Sequence, residues 1–266
     1  MICTKVIRTK AIRIVAICFL IVVALTALLP VRYERQFRDS PNVGPSRQFV
    51  LGTDDLGRDR MSRLIYGTRV SLLLATSAAI LSCLAAAALG GLAGFGIADK
   101  FILGAADLFL SLPWLFLLLM VRAFLPLNVS PILSVTITFL LLGLLGWATP
   151  AKVVRAAVRK LSASDFMLQA RATGSSRLLS KHLIPNVMPI LWAQLWITIP
   201  AYVLAETTLG MLGLGVMEPL PSWGNLLREL EGGGIGSHPW MLAPVLLLAA
   251  VVGSFQVIFE REDYSV

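Results

Sequence analysis

Residues 70–98 read VSLLLATSAAILSCLAAAALGGLAGFGIA, a run without one charged side chain. A helix rises about 1.5 Å per residue, so roughly 20 residues cross a hydrocarbon core ~30 Å thick. This run is longer than that, and its Gly90 and Gly94 stand four apart, a spacing that lets helices approach closely. Working outward, five more apolar stretches have the same character: 14–29, 101–125, 131–149, 188–209 and 240–259. Pro113 interrupts the third span, 101–125, and is expected to kink it. The pattern predicts an all-α, polytopic membrane protein with six transmembrane helices.

Composition agrees. Of 266 residues, 57% are hydrophobic and 14% charged, and mean hydropathy is +0.80. Soluble domains are about a quarter charged, so an ordinary soluble globule, a disordered chain and a coiled coil are excluded. The alternating ten-residue segments of a membrane β-barrel are absent. The stretch 14–29 follows Lys5, Arg8, Lys10 and Arg13 and ends in Leu-Leu-Pro30. A secretory signal has a shorter apolar core and a small-residue cleavage site, so this reads as a retained first helix starting in the cytoplasm.

The 23 Lys and Arg against 15 Asp and Glu leave a net charge of +8. Most of the bases lie between apolar runs, facing lipid head groups or a protein partner rather than nucleic acid. Cys3, Cys18 and Cys83 show no pairing or metal-ligand spacing. Segment 30–69 holds eight Arg and five acids; segment 150–187 is basic with Asp165 its one acid; segment 210–239 has Arg228 against Glu218, Glu229 and Glu231. With the N-terminus inside, 150–187 is cytoplasmic and the other two are outside. This places 13 bases inside and 10 outside, in the sense of the positive-inside rule.

Nothing in these segments is an enzyme's constellation. His182 and His238 form no metal-ligand pair, no Gly-x-Ser-x-Gly turn occurs, and no Gly-x4-Gly-Lys-[Ser/Thr] phosphate loop occurs. The chain is therefore expected to hold no metal or cofactor and to bind no ATP itself. In the cytoplasmic segment, 151–161 reads as a charged helical extension of the fourth span, with Lys152, Arg155 and Arg159 on one face. Ser164-Asp165 then signals a new start, and Gly174 separates two short helices, 166–172 and 177–183, that end before Pro185. From charge alone this is either a compact projecting knob or a solvated loop on head groups.

Three blocks carry a resemblance. Gln169, Ala170, Arg171, Ala172, Thr173 and Gly174, followed by His182-Leu-Ile-Pro-Asn186, resemble the cytoplasmic loop of ABC-importer permeases. Leu51-Gly-Thr-Asp-Asp-Leu-Gly-Arg-Asp59, continuing through Ser62-Arg-Leu-Ile-Tyr-Gly-Thr-Arg-Val-Ser71, is similar to the signature before the second span in one subunit type. That type is the second permease subunit of dipeptide, oligopeptide and nickel importers. Leu212-Gly-Leu-Gly215 with Pro219 and Pro221-Ser-Trp-Gly224 resembles the same subunit's segment after its fifth span. The likeness covers roughly residues 50–250. It departs from the family where Leu168-Gln169-Ala170 replaces Glu-Ala-Ala, where the loop is about two residues shorter, and in the short C-terminal tail.

The resemblance implies a type I importer permease: residues 1–69 the first helix and outer segment, residues 70–266 the core permease with its coupling loop at 150–187. It implies a homologous second permease, ATP-hydrolysing subunits that bind the ATP and Mg, an extracytoplasmic substrate-binding protein, and a prokaryotic inner membrane. In such importers the knob sits in a groove of the ATPase. Gly174 would then allow the turn, Arg171, Arg177 and Lys181 would meet an acidic groove, and Pro185 would set the exit into the fifth span. His182 belongs to the same loop.

Asp107 and Glu206 lie inside apolar runs, where ionised side chains are costly. Either could line a polar path. Alternatively, Asp107 pairs with an Arg of the partner permease, and Glu206 bonds the backbone of the loop after it. Arg122 is expected to snorkel. Asp54, Asp55, Gly57, Arg58, Asp59 and Trp223 form an outer-rim motif. Its Asp–Arg pairs are expected to lock a turn that launches an elbow helix, 60–69, and its alternation fails as a Ca²⁺ loop. The rival reading is a secondary transporter or channel working without an ATPase, which predicts an inverted repeat not evident here. A membrane-embedded enzyme lacks its residues.

Overall fold

A 35-residue helix, α1 (Arg60–Gly94), begins where Asp59 accepts hydrogen bonds from the Ser62 backbone N–H (3.1 Å) and hydroxyl (2.6 Å). The expected elbow 60–69 is not a separate element: one helix continues through Gly67, which lies close against Ser222 and Leu226, into the span. The computed structural model describes residues 14, 17, 20–21, 23–26, 28–124, 129–165, 167, 169, 183–232 and 238–259. Of the expected first span, the described residues between 14 and 26 are helical.

A turn at 95–98, with Gly96 at φ 85° and Ala98 at φ 50°, leads into α2 (Asp99–Ser111). Helix α3 (Trp114–Phe124) follows after a bend of 84°. The third span is thus two helices, not one gently kinked helix. Leu112 is extended (φ −104°, ψ 144°), as a residue ahead of proline prefers. Helices α4 (Pro131–Leu145) and α5 (Ala148–Ser162) make the fourth span with its charged extension. Then come α6 (Ile184–Met211), carrying Pro189 and Pro200, the short α7 (Trp223–Arg228), and α8 (Ala243–Phe259). Among the described residues, four helices are long and apolar enough to cross a membrane, and the bent pair would make a fifth.

The chain divides into two compact units. Unit 1 comprises Met1–Leu74, Leu127–Thr136 and Val203–Val266. Its buried side chains include Phe49, Leu64, Leu209, Val216, Leu226 and the fully enclosed Trp223.

Unit 2 comprises Ala75–Pro126 and Ile137–Tyr202. There, small residues bring α1, α2 and α5 together: Ala86, Ala93, Ala106, Ala148 and Ala151 pack with Ile102 and Trp147. The reading of Gly90 and Gly94 holds. A Cβ on Gly90 would lie 2.4 Å from the Ala151 carbonyl oxygen, and one on Gly94 2.6 Å from Val158. A second cluster sets Val154 and Val158 of α5 against Met167, Leu183 and Val187. Both described ends of the segment between α5 and α6 are therefore seated on α5.

Candidate functional site

The outer-rim motif is the most densely bonded region of unit 1. The tight turn at 54–58 depends on Gly57, whose φ of 73° suits glycine, and a Cβ there would meet the Phe37 carbonyl oxygen at 2.2 Å. This turn folds Asp54 inward, only 1% exposed, to accept from the Arg58 N–H (2.7 Å), Arg58 Nε (2.6 Å) and Arg63 Nη1 (2.5 Å). The same two guanidinium groups reach across to Glu218, each at 2.7 Å. Arg60 Nη1 donates to Glu229 at 2.8 Å, and Arg63 lies 3.0 Å from the same carboxylate. Thus the expected Asp–Arg lock is present, but it is larger than the motif: Arg63, Glu218 and Glu229 complete it. Three of the bases of 30–69, Arg58, Arg60 and Arg63, thus meet two acids of 210–239, Glu218 and Glu229. Asp55 stands at the rim of an open cavity of about 390 Å³, with Thr53, Arg60, Glu229 and His238.

Electrostatics follow from this geometry. Burial opposes the charge on Asp54, but the Arg58 N–H and guanidinium, together with Arg63, outweigh it and hold the carboxyl below its ordinary 3.8. For Glu218, burial is likewise outweighed by Arg63 and Arg58, and the group sits below 4.5. Glu229 goes the other way: burial dominates Arg63 and Arg60 and raises it above 4.5. Groups with lowered folded values contribute stability above their unfolded values and lose it as pH falls through the folded ones; Glu229 has the opposite sign. Thermal unfolding followed by tryptophan fluorescence should therefore hold, or rise slightly, from neutral to about pH 5, then fall below about pH 4. A midpoint that climbs steadily to pH 3 would contradict this assignment.

Trp223 joins the rim to the spans. Its indole Nε1 donates to Thr68 Oγ1 (3.0 Å) and its backbone N–H to Ser71 Oγ (3.0 Å). Ser71 in turn donates to the fully buried Glu206 at 2.8 Å. Glu206 therefore reaches the following loop through side chains, Ser71 beneath Trp223 and Ser222 of the loop itself. Ser222 caps α7 by accepting from the Asn225 N–H.

In unit 2, Asp107 pairs with Lys152 of this same chain, a partner that the sequence reading did not name. Beside it stands an acid that the sequence reading passed over. Asp99 accepts from Arg155 Nε (2.5 Å) and Nη2 (2.8 Å), and Arg159 lies 3.1 Å away. Asp99 and Asp107 are eight residues apart on one helix, near two turns and hence on one face. That spacing was the available signal. Arg122 does not snorkel: it is fully buried in α3.

Of the coupling-loop residues, Ala170, Arg171, Ala172, Thr173, Gly174, Arg177 and His182 lie outside the described residues. Gln169 is helical and exposed, and Pro185 is exposed in the first turn of α6. Ser164, expected as a cap, donates its hydroxyl back to the Leu161 carbonyl at 2.5 Å.

Residues 73–262 match the family described as "Binding-protein-dependent transport system inner membrane component". The chain is 30% identical to the dipeptide transport system permease protein DppC of Bacillus subtilis, over 90% of this chain and 75% of that protein. It is 29% identical to the oligopeptide transport system permease protein OppC of the same organism, over 94% and 83% respectively. Against the di/tripeptide transport system permease protein DppC of Pseudomonas aeruginosa the identity is 34%, over 79% and 73%. The family match spans both units and includes the rim's Glu218, Trp223 and Glu229, so this chain belongs to the inner-membrane permease components of binding-protein-dependent transport systems.

Proposed function

We propose that this chain is one of two paired permease subunits of an ATP-driven importer that takes up di- or oligopeptides. An extracytoplasmic binding protein delivers the peptide to the outer rim, and partner ATPases drive the transfer. The carrying observation is that relatives named for dipeptide, oligopeptide and di/tripeptide transport align over most of this chain. The six-span arrangement, with residues 14–29 as the first helix and a cytoplasmic N-terminus, is supported by the basic cluster before that stretch and by the four membrane-capable helices, five if the bent pair is one span, among the described residues. Segment 150–187 is then cytoplasmic and docks the ATPase. Seating of Met167 and Leu183 on α5 supports a rigid root for it.

The test is uptake of a radiolabelled tripeptide by cells expressing the chain with its partner subunits. Gly174→Pro combined with Arg171→Glu should abolish uptake while membrane insertion stays intact; undiminished uptake removes the coupling role. In the same cells a cysteine at Ser46 should react with an impermeant thiol reagent and one at Ser176 should not, and the reverse pattern inverts the topology. Transport by the purified chain without any ATPase would instead favour a secondary transporter.

A further inference from the structure

Helix α5 carries two neighbouring faces in unit 2. Val154 and Val158 hold Met167 and Leu183, the described ends of the segment that follows α5. Arg155 and Arg159, one residue further round in each case, hold Asp99 at the start of α2. The Arg155–Asp99 contact is a two-bond fork at 2.5 and 2.8 Å, which fixes direction as well as distance. Both partners are partly shielded, at 19% and 17% exposure. Lys152–Asp107 supplies a second tie further along the same two helices, so α2 resists pivoting about the first. Between the ties Ile102 and Ala106 of α2 share one packed cluster with Ala148 and Ala151 of α5, and Gly90 and Gly94 leave α1 no slack against α5. Helix α2 ends at Leu112 and Pro113, beyond which α3 departs at 84°.

From this geometry we propose that Asp99 is a positioning residue of the transport cycle. It locks α2 to α5, so that displacement of segment 163–187 is carried into the bent span α2–α3. The proposal rests on the reading above that this segment receives the ATPase's motion. An ion-pair fork suits the task because it transmits both push and pull along the helix axis, whereas the alanine contacts beside it can slide. The coupling thus passes through a contiguous set of packed groups in which the Asp99–Arg155 fork is the main polar joint.

The experiment uses the complete importer in lipid vesicles. Phe116, 68% exposed on α3, is replaced by Cys and labelled with an environment-sensitive fluorophore, with Cys3, Cys18 and Cys83 replaced by Ala. ATP hydrolysis and the ATP-dependent fluorescence change are read together. In Asp99→Asn the change per ATP hydrolysed should fall about five-fold or more, the scale of a coupling energy between sites. Asp99→Glu, which keeps the ion pair, should restore most of it. If Asp99→Asn responds as fully as the parent, Asp99 has no positioning role. If response and hydrolysis fall in parallel, the pair is merely structural and the proposal is again overturned. A parent complex that hydrolyses ATP with no change at position 116 overturns the underlying reading of the segment instead.

Discussion

Arg63→Met should destabilise the outer rim by about 3–5 kcal/mol, the cost of breaking a buried ion pair from one side. Arg63 is 1% exposed and reaches three carboxylates, Asp54, Glu218 and Glu229. Methionine fills much of the volume but leaves Asp54 buried with less of its countercharge. Arg63→Lys should recover only part of the loss, because a point charge on a flexible stem cannot serve several carboxylates as a planar fork does. Glu218→Gln should cost less than Arg63→Met, since half of the Glu218 side chain is open to solvent. Thermal unfolding in detergent, with hydrogen exchange over residues 210–232, reads all three. An Arg63→Met protein as stable as the parent would mean that the knot contributes nothing to holding 210–232 in place.

Trp223→Ala carries the other large expected effect, about 3–5 kcal/mol for emptying a buried aromatic site. The side chain is fully enclosed, so little of the space can be refilled without moving α7. Trp223→Phe separates volume from polarity. It keeps most of the ring and loses the bond to Thr68, which should cost about 0.5–1.5 kcal/mol. In both variants the backbone N–H at position 223 can still donate to Ser71, so the link to Glu206 is not removed. Equal losses in the two variants would show that the indole hydrogen bond, not the packing, carries the site.

Much of this was legible from order along the chain. Gly90 and Gly94 announced a close helix approach, and the structure sets them against Ala151 and Val158. Lys152, Arg155 and Arg159 announced a basic face on a helix continuing from the fourth span. Asp54 and Arg58, four apart, announced a local lock. Apart from Arg63, nine residues from Asp54, the missed partners were distant in sequence: Glu218 for Arg58 and Arg63, Glu229 for Arg60, Lys152 for Asp107, and Arg155 for Asp99. The charges of 30–69 and 210–239 were visible along the chain, but not which residue meets which. Pro113 was read as a kink, yet proline restricts only the local backbone. The angle between α2 and α3 depends on what each packs against.

The sequence alone determined the class, because a hydrocarbon core about 30 Å thick demands long apolar helices whatever their neighbours are. Three local blocks were enough to assign the permease family, since they need only short-range order to be recognised. Tertiary structure alone decided that Asp99, Asp107, Glu218 and Glu229 are ion-pair partners within this chain, and that Arg122 is buried. Charge is visible in a string of letters. The distance between two charges far apart in sequence exists only once the helices between them have packed.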